Sequence, residues 1–183
     1  ALDPLLRQED VGQHDLADHK HLDRLAAAHR AGRTPGITSV CSAHPTVLDE
    51  TVRLGVEGEH LVLIEATCNQ VNQDGGYTGM RPADFRRDVE QLAEQHGLPE
   101  DRLVLGGDHL GPNPWKHLSA ATAMAKAEEL VDAFVRAGYS KLHLDTSIRC
   151  ADDRPGALAP ALVAERAARL AVVAERASSE VGF

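Results

Sequence analysis

Leu103-Val-Leu-Gly-Gly-Asp-His-Leu-Gly-Pro-Asn-Pro114 is the stretch that decides the fold. Its apolar residues read as a short buried strand over about residues 102–106, ended by two glycines, and Gly111, Pro112 and Pro114 forbid an immediate helix. Asp108 and His109 therefore fall where a strand runs out. An aspartate can move a proton, and a neutral histidine beside it can hold a metal whose charge keeps that aspartate ionised. Taken alone, the two residues are as well explained by a turn aspartate capping its own backbone beside a satisfied histidine. The rest of the chain decides between these readings.

Outward from this strand the same unit recurs. Residues 36–41, 61–66 and 140–145 are further apolar strands. Between them lie amphipathic helices: one from Pro45 with Val47, Leu48, Val52 and Leu54, one over 82–97 with Phe85, Val89 and Leu92, and one over 119–137 with Ala127, Leu130 and Phe134. A last helix from Pro160 carries Val163, Leu170 and Val173, and the sequence ends over 178–183 where another strand is expected. Upstream, residues 15–31 suit a surface helix that lies as a lid over one end, and residues 1–14 read as a tail.

Four βα units in succession argue for a parallel sheet with right-handed crossovers. A doubly wound sheet declares itself by glycines in its first βα turn, and here that turn is Cys-Ser-Ala-His-Pro. The expected fold is therefore a (βα)8 TIM barrel, of which residues 15–183 supply the N-terminal half as one domain: four βα units and a preceding helix. Such a half leaves open strand edges, so a homo-oligomer is expected.

Composition narrows the function classes. Among 183 residues, 28 acids outweigh 19 Lys and Arg for a formal charge of -9, and no basic run exists, which argues against nucleic acid and anionic membrane as partners. No apolar segment nears the ~20 residues that span a bilayer, and the expectation is a soluble, cytoplasmic protein. Cys41, Cys68 and Cys150 are odd in number, lack a C-x-x-C pair and are read as free thiols without a role. His14, His19, His21 and His29, four of ten histidines, lie on the polar N-terminal segment and are taken as solvated. No Gly-x-x-x-x-Gly-Lys-Ser/Thr run supports a P-loop kinase.

The polar residues collect just after the strands. Ser42 and His44 follow the first; Asn69, Gln70, Asn72 and Gln73 follow the second, which itself carries Glu65; Asp108, His109 and Asn113 follow the third; His143, Asp145 and Ser147 mark the fourth. In a barrel this is the rim that holds the active site. Glu65 interrupts an apolar strand and must be paired or metal-bound. The carboxamides both donate and accept, which suits a polyol chain. The expected catalytic groups are Asp108, Glu65 and Asp145, with a divalent metal on His109. Ser42, His44, Asn69, Gln70, Asn72, Gln73, Asn113, His143 and Ser147 are expected to bind substrate.

Five segments carry a family resemblance: Ser39-Val-Cys-Ser-Ala-His-Pro45, Leu63-Ile-Glu-Ala-Thr-Cys-Asn-Gln-Val-Asn-Gln73, Gly75-Gly-Tyr-Thr-Gly-Met80, Gly106-Gly-Asp-His-Leu-Gly-Pro-Asn113 and Ala137-Gly-Tyr-Ser-Lys-Leu-His-Leu-Asp145. Together they resemble the GatZ/KbaZ family, described as the non-catalytic subunit of class II D-tagatose-1,6-bisphosphate aldolase and often labelled tagatose-6-phosphate kinase. The resemblance implies a chain of about twice this length, a sugar-phosphate ligand, a catalytic class II aldolase subunit as partner and a role in stabilising it. Asp108-His109 is also similar to the strand-end pair of catalytic class II aldolases, where the aspartate handles a proton and the histidine binds zinc. Lys141-Leu-His-Leu-Asp-Thr-Ser147 resembles their Asp-Gly-Ser strand end with Thr146 in the glycine's place. Some relatives are described as metal-dependent 4-epimerases of ketose phosphates, which implies a second reading, retro-aldol cleavage and re-addition in this protein itself.

Overall fold

The structure, a computed structural model, describes residues 17–182, with side chains from His21 onward. The tail expected over 1–14, and the side chains of His14 and His19, lie outside the described residues. In chain order the elements are α1 (Ala17–Arg30), β1 (Ser39–Cys41), α2 (Pro45–Glu57), β2 (Val62–Thr67), α3 (Pro82–His96), β3 (Leu103–Leu110), α4 (Ala120–Arg136), β4 (Lys141–Leu144) and α5 (Pro160–Val181).

Helix boundaries follow from local chemistry. Pro45, Pro82 and Pro160 open α2, α3 and α5, where a missing N–H costs nothing and φ is already helical. His44 Nδ1 accepts the Thr46 N–H at 3.3 Å to cap α2, and Ser119 Oγ accepts the Thr122 N–H at 3.3 Å to cap α4. The Arg81 N–H donates to Asp84 Oδ2 at 3.2 Å at the start of α3.

The four strands are parallel and lie side by side in chain order. With right-handed crossovers that order puts every connecting helix on one face of the sheet. Accordingly α2 packs on α3, α3 on α4 and α4 on α5. Val62, Ile64, Ala66, Leu103 and Leu105 meet Phe85, Val89, Leu130, Phe134 and Leu170 in a single core between sheet and helices. A doubly wound sheet would reverse its order and cover both faces, so this is the curved wall of a barrel. Period-two alternation then turns Ser39, Cys41, Glu65, Gly106, Lys141 and His143 to the other, inner face.

α1 takes the lid position: Leu22 and Leu25 line a cavity with Gly36, Ile37 and Leu61 at the N-terminal ends of the strands. At the opposite end, Asp153 and Arg166 form a buried two-pronged ion pair (Nη1–Oδ2 2.9 Å, Nη2–Oδ1 2.6 Å) that ties the loop after β4 to α5.

Four boundaries differ from the sequence reading. β3 does not stop at Gly106: it runs through both glycines to Leu110, because Gly106 and Gly107 keep their ladder partners Lys141 and Leu142. Its pairing with β4 then shifts register before resuming at Leu110 and Leu144, and His109 sits at φ 50 within the shift. β1 is only three residues long, and β4 ends at Leu144, one residue before Asp145. Where a fifth strand was expected, α5 continues to Val181, since Ala, Glu, Arg and Ser keep a helical pattern up to Gly182 at φ 83.

Candidate functional site

Successive strand residues point to opposite faces, so Asp108 and His109 would normally diverge. The register shift in β3, with His109 in the left-handed region, brings both to one point. A side chain held at positive φ costs roughly 1 kcal/mol, a strain that clusters at functional positions. From the neighbouring strand His143, two residues beyond Lys141 on the inner face, joins them.

The three side chains meet closely. His143 Nδ1 lies 2.7 Å from Asp108 Oδ1, and His109 Nδ1 lies 2.9 Å from Asp108 Oδ2. The two imidazoles are in contact at a tilt of 59°, with centroids 4.4 Å apart. One ligand atom from each of Asp108, His109 and His143 falls within 4.8 Å of the others. Two imidazole nitrogens and one carboxylate oxygen, on side chains partly open to solvent, form a donor set that fits zinc or a similar divalent ion and leaves coordination positions free.

The electrostatics agree. Asp108 is only 17% exposed, and burial alone would raise its pKa, but hydrogen bonds from His143, His109 and Cys41 outweigh that and hold it at about 2. The Cys41 thiol, 3.4 Å from Asp108 Oδ2, is pushed up to about 12 by desolvation and by this anionic acceptor. It therefore stays a neutral donor that orients the carboxylate. Burial would raise Asp145 as well, yet the Ser147 hydroxyl (2.7 Å) and N–H (2.9 Å) and the two imidazoles bring it below its usual value.

Glu65 sits one row deeper. Its side chain is 3% exposed and both oxygens take Lys141 Nζ, at 2.8 and 2.7 Å, while Ser39 Oγ donates to it at 2.7 Å. The buried carboxylate is thus paired with a lysine rather than a metal. Gly106 lies between the partners on β3, and a Cβ there would stand 2.8 Å from Glu65 Cγ and 3.1 Å from Lys141 Cδ. A glycine is what lets the pair close across an intervening strand.

The remaining expected residues divide. Gln70 reaches the cluster, its Oε1 accepting the Thr67 N–H at 2.8 Å with Cys41 Sγ at 3.9 Å. Asn72 is buried and organises its own loop, donating to the Cys68 carbonyl at 2.8 Å and accepting from Asp74 and Gly76, both at 2.9 Å. Gln73 donates to the Lys126 carbonyl at 2.9 Å. Ser42 Oγ accepts the His44 N–H at 3.1 Å, and His44 itself caps α2. Asn69 is exposed and its carbonyl accepts the Tyr77 N–H at 2.9 Å, while Asn113 opens the short 3-10 turn after β3. Most of these polar groups shape the rim loops; they do not point jointly at the cluster.

Sequence reasoning gave no role to Cys41 or Lys141 and placed His143 as a substrate contact. The usable signal was the i, i+2 spacing of Ser39 with Cys41 and of Lys141 with His143, which puts polar side chains on the inner face of strands expected to be apolar.

Comparison with known proteins gives this geometry its context. The family model for D-tagatose-1,6-bisphosphate aldolase subunit GatZ/KbaZ-like proteins matches residues 22–183. A protein named D-tagatose 6-phosphate 4-epimerase from Agrobacterium fabrum is 55% identical over 162 residues, which is 88% of this chain and 38% of that one. The crystal structure of a probable tagatose 6 phosphate kinase from Sinorhizobium meliloti superposes with a TM-score of 0.75 at 58% identity, covering 78% of this chain and 36% of its own. The chain thus spans little more than a third of the relatives it matches. Since the matched region takes in all four strands and every residue of the cluster, the chain belongs to the GatZ/KbaZ-like family.

Proposed function

We propose that the protein carrying this chain is a metal-dependent 4-epimerase of ketohexose phosphates of the tagatose type. The observation that carries the reading is the convergence of Asp108, His109 and His143, achieved at the cost of a left-handed backbone at His109. A chain serving only to prop up another subunit has no need of such an arrangement.

Asp108, His109 and His143 would hold the divalent ion, which when bound polarises a sugar carbonyl or hydroxyl. Asp108 remains ionised with or without it, because the cation's charge takes over from the imidazole hydrogen bonds. Inversion at C4 by retro-aldol chemistry needs a group to accept the C4 hydroxyl proton as the C3–C4 bond opens. Asp145, which accepts from Ser147 and lies within the field of both imidazoles, is the candidate for that role. Gln70 and Asn69 at the mouth of β2 are candidates to grip sugar hydroxyls.

The test is Asp108→Asn in the full-length, metal-supplied protein. Zinc affinity should fall about 10- to 100-fold or more and conversion of tagatose 6-phosphate to fructose 6-phosphate should be lost. Wild-type turnover by that variant would end the reading.

The family description favours a second reading, support of a catalytic aldolase subunit. Co-expression with that subunit distinguishes the two: a longer aldolase half-life that survives Asp108→Asn assigns support, and one without the other assigns catalysis.

A further inference from the structure

The Glu65–Lys141 pair remains unexplained by metal binding. Buried ion pairs are weak stabilisers, and well-packed apolar side chains of similar volume often do as well or better. This sheet shows that option one row below, where Leu63 and Val104 are buried on the same face. The fold nonetheless keeps a carboxylate and an ammonium here, spends a glycine at position 106 to let them meet, and sets them directly beneath Asp108 and His143. Glu65 uses both oxygens on Lys141, yet an ammonium has three protons and 29% of the lysine side chain is exposed.

We propose that Lys141 contacts the substrate: its ammonium, fixed by Glu65 across Gly106, donates a hydrogen bond to the C2 oxygen of the ketose, where negative charge gathers during C3–C4 cleavage. The inference rests on the epimerase reading above. As the C4 hydroxyl loses its proton, the O4 electron pair forms a carbonyl at C4 and the C3–C4 bonding pair passes into a C2–C3 double bond, leaving the charge on the C2 oxygen. Re-addition of C3 to the opposite face of the C4 carbonyl returns those electrons and the proton, so nothing is gained or lost. A donor positioned on an oxygen that becomes anionic acts mainly on the transition state. Glu65 is then a positioning residue that holds the ammonium in place, and Ser39 steadies Glu65.

Replacing the pair by apolar residues separates this role from a structural one. Glu65→Leu/Lys141→Met in the full-length, zinc-loaded protein should retain its melting temperature and zinc affinity, because neither residue belongs to the metal cluster. Its kcat on tagatose 6-phosphate should fall about 100-fold or more, the usual effect of losing one oxyanion donor. Should that variant fail to fold, Glu65→Gln/Lys141→Met removes the donor while leaving at position 65 a polar side chain that Ser39 can bond, and carries the same expectation. A folded, metal-binding double variant with kcat within threefold of wild type overturns the inference alone. A wild-type protein that binds zinc and turns over no ketose phosphate overturns the epimerase reading and this inference with it.

Discussion

At the residue scale the protein is understood through Asp108, which accepts from His143, His109 and Cys41 at once. Its folded pKa of about 2 lies below the ordinary 3.8, so the folded state prefers the ionised form. The associated stability is therefore fully present above pH 3.8 and is lost as pH falls through about 2; the ceiling is about 2 kcal/mol. Chemical denaturation of the metal-free wild type and Asp108→Asn should show their stability gap narrowing between pH 5 and pH 2, and a constant gap would contradict the assignment. The sequence marked Asp108 and His109 because an acid and an imidazole after a strand are conspicuous. It could not show that they converge, since that depends on one backbone angle at His109, and although histidine enters the left-handed region more often than most residues, nothing local in the sequence demands it there. Glu65 was legible in a different way: a carboxylate inside an apolar strand had to be paired, but its partner sits 76 residues away and is chosen by strand register.

Among the elements, β3 does most to place the site. Helices were readable from prolines, caps and apolar stripes, whose signals are local. The length of β3 was not, because glycine ends a strand only when its backbone loses its partners, and here Gly106 and Gly107 keep theirs. Beyond the register shift Gly111 passes against β4, where the Asp145 N–H donates to the Leu110 carbonyl at 2.9 Å. A Cβ at Gly111 would overlap the Asp145 carbonyl oxygen, which is backbone and cannot swing away. Gly111→Ala should accordingly destabilise the protein by about 2 kcal/mol or more and loosen zinc binding as His143 moves away from β3. An unchanged denaturation midpoint would show that the β3–β4 junction is softer than described.

For the whole molecule, strand order was the decisive finding. Four parallel strands in chain order, with their helices on one face, form the wall of a barrel, as the absence of a glycine fingerprint after β1 had suggested. Among the described residues β1 and β4 each have one neighbouring strand, and Ser39, Cys41 and His143 on the inner face are exposed. Prepared alone, the 183-residue chain should self-associate through these edges. Light scattering checks this, and a stable monomer at high concentration would contradict it. Among the described residues no helix is long and apolar enough to cross a membrane.

The central claim is that Asp108, His109 and His143 hold one divalent ion. Crystals grown with zinc and measured at its absorption edge should show an anomalous peak about 2.0–2.2 Å from a nitrogen of each imidazole and from an Asp108 oxygen. A peak bound elsewhere, with these three side chains still bonded to one another, would contradict the account.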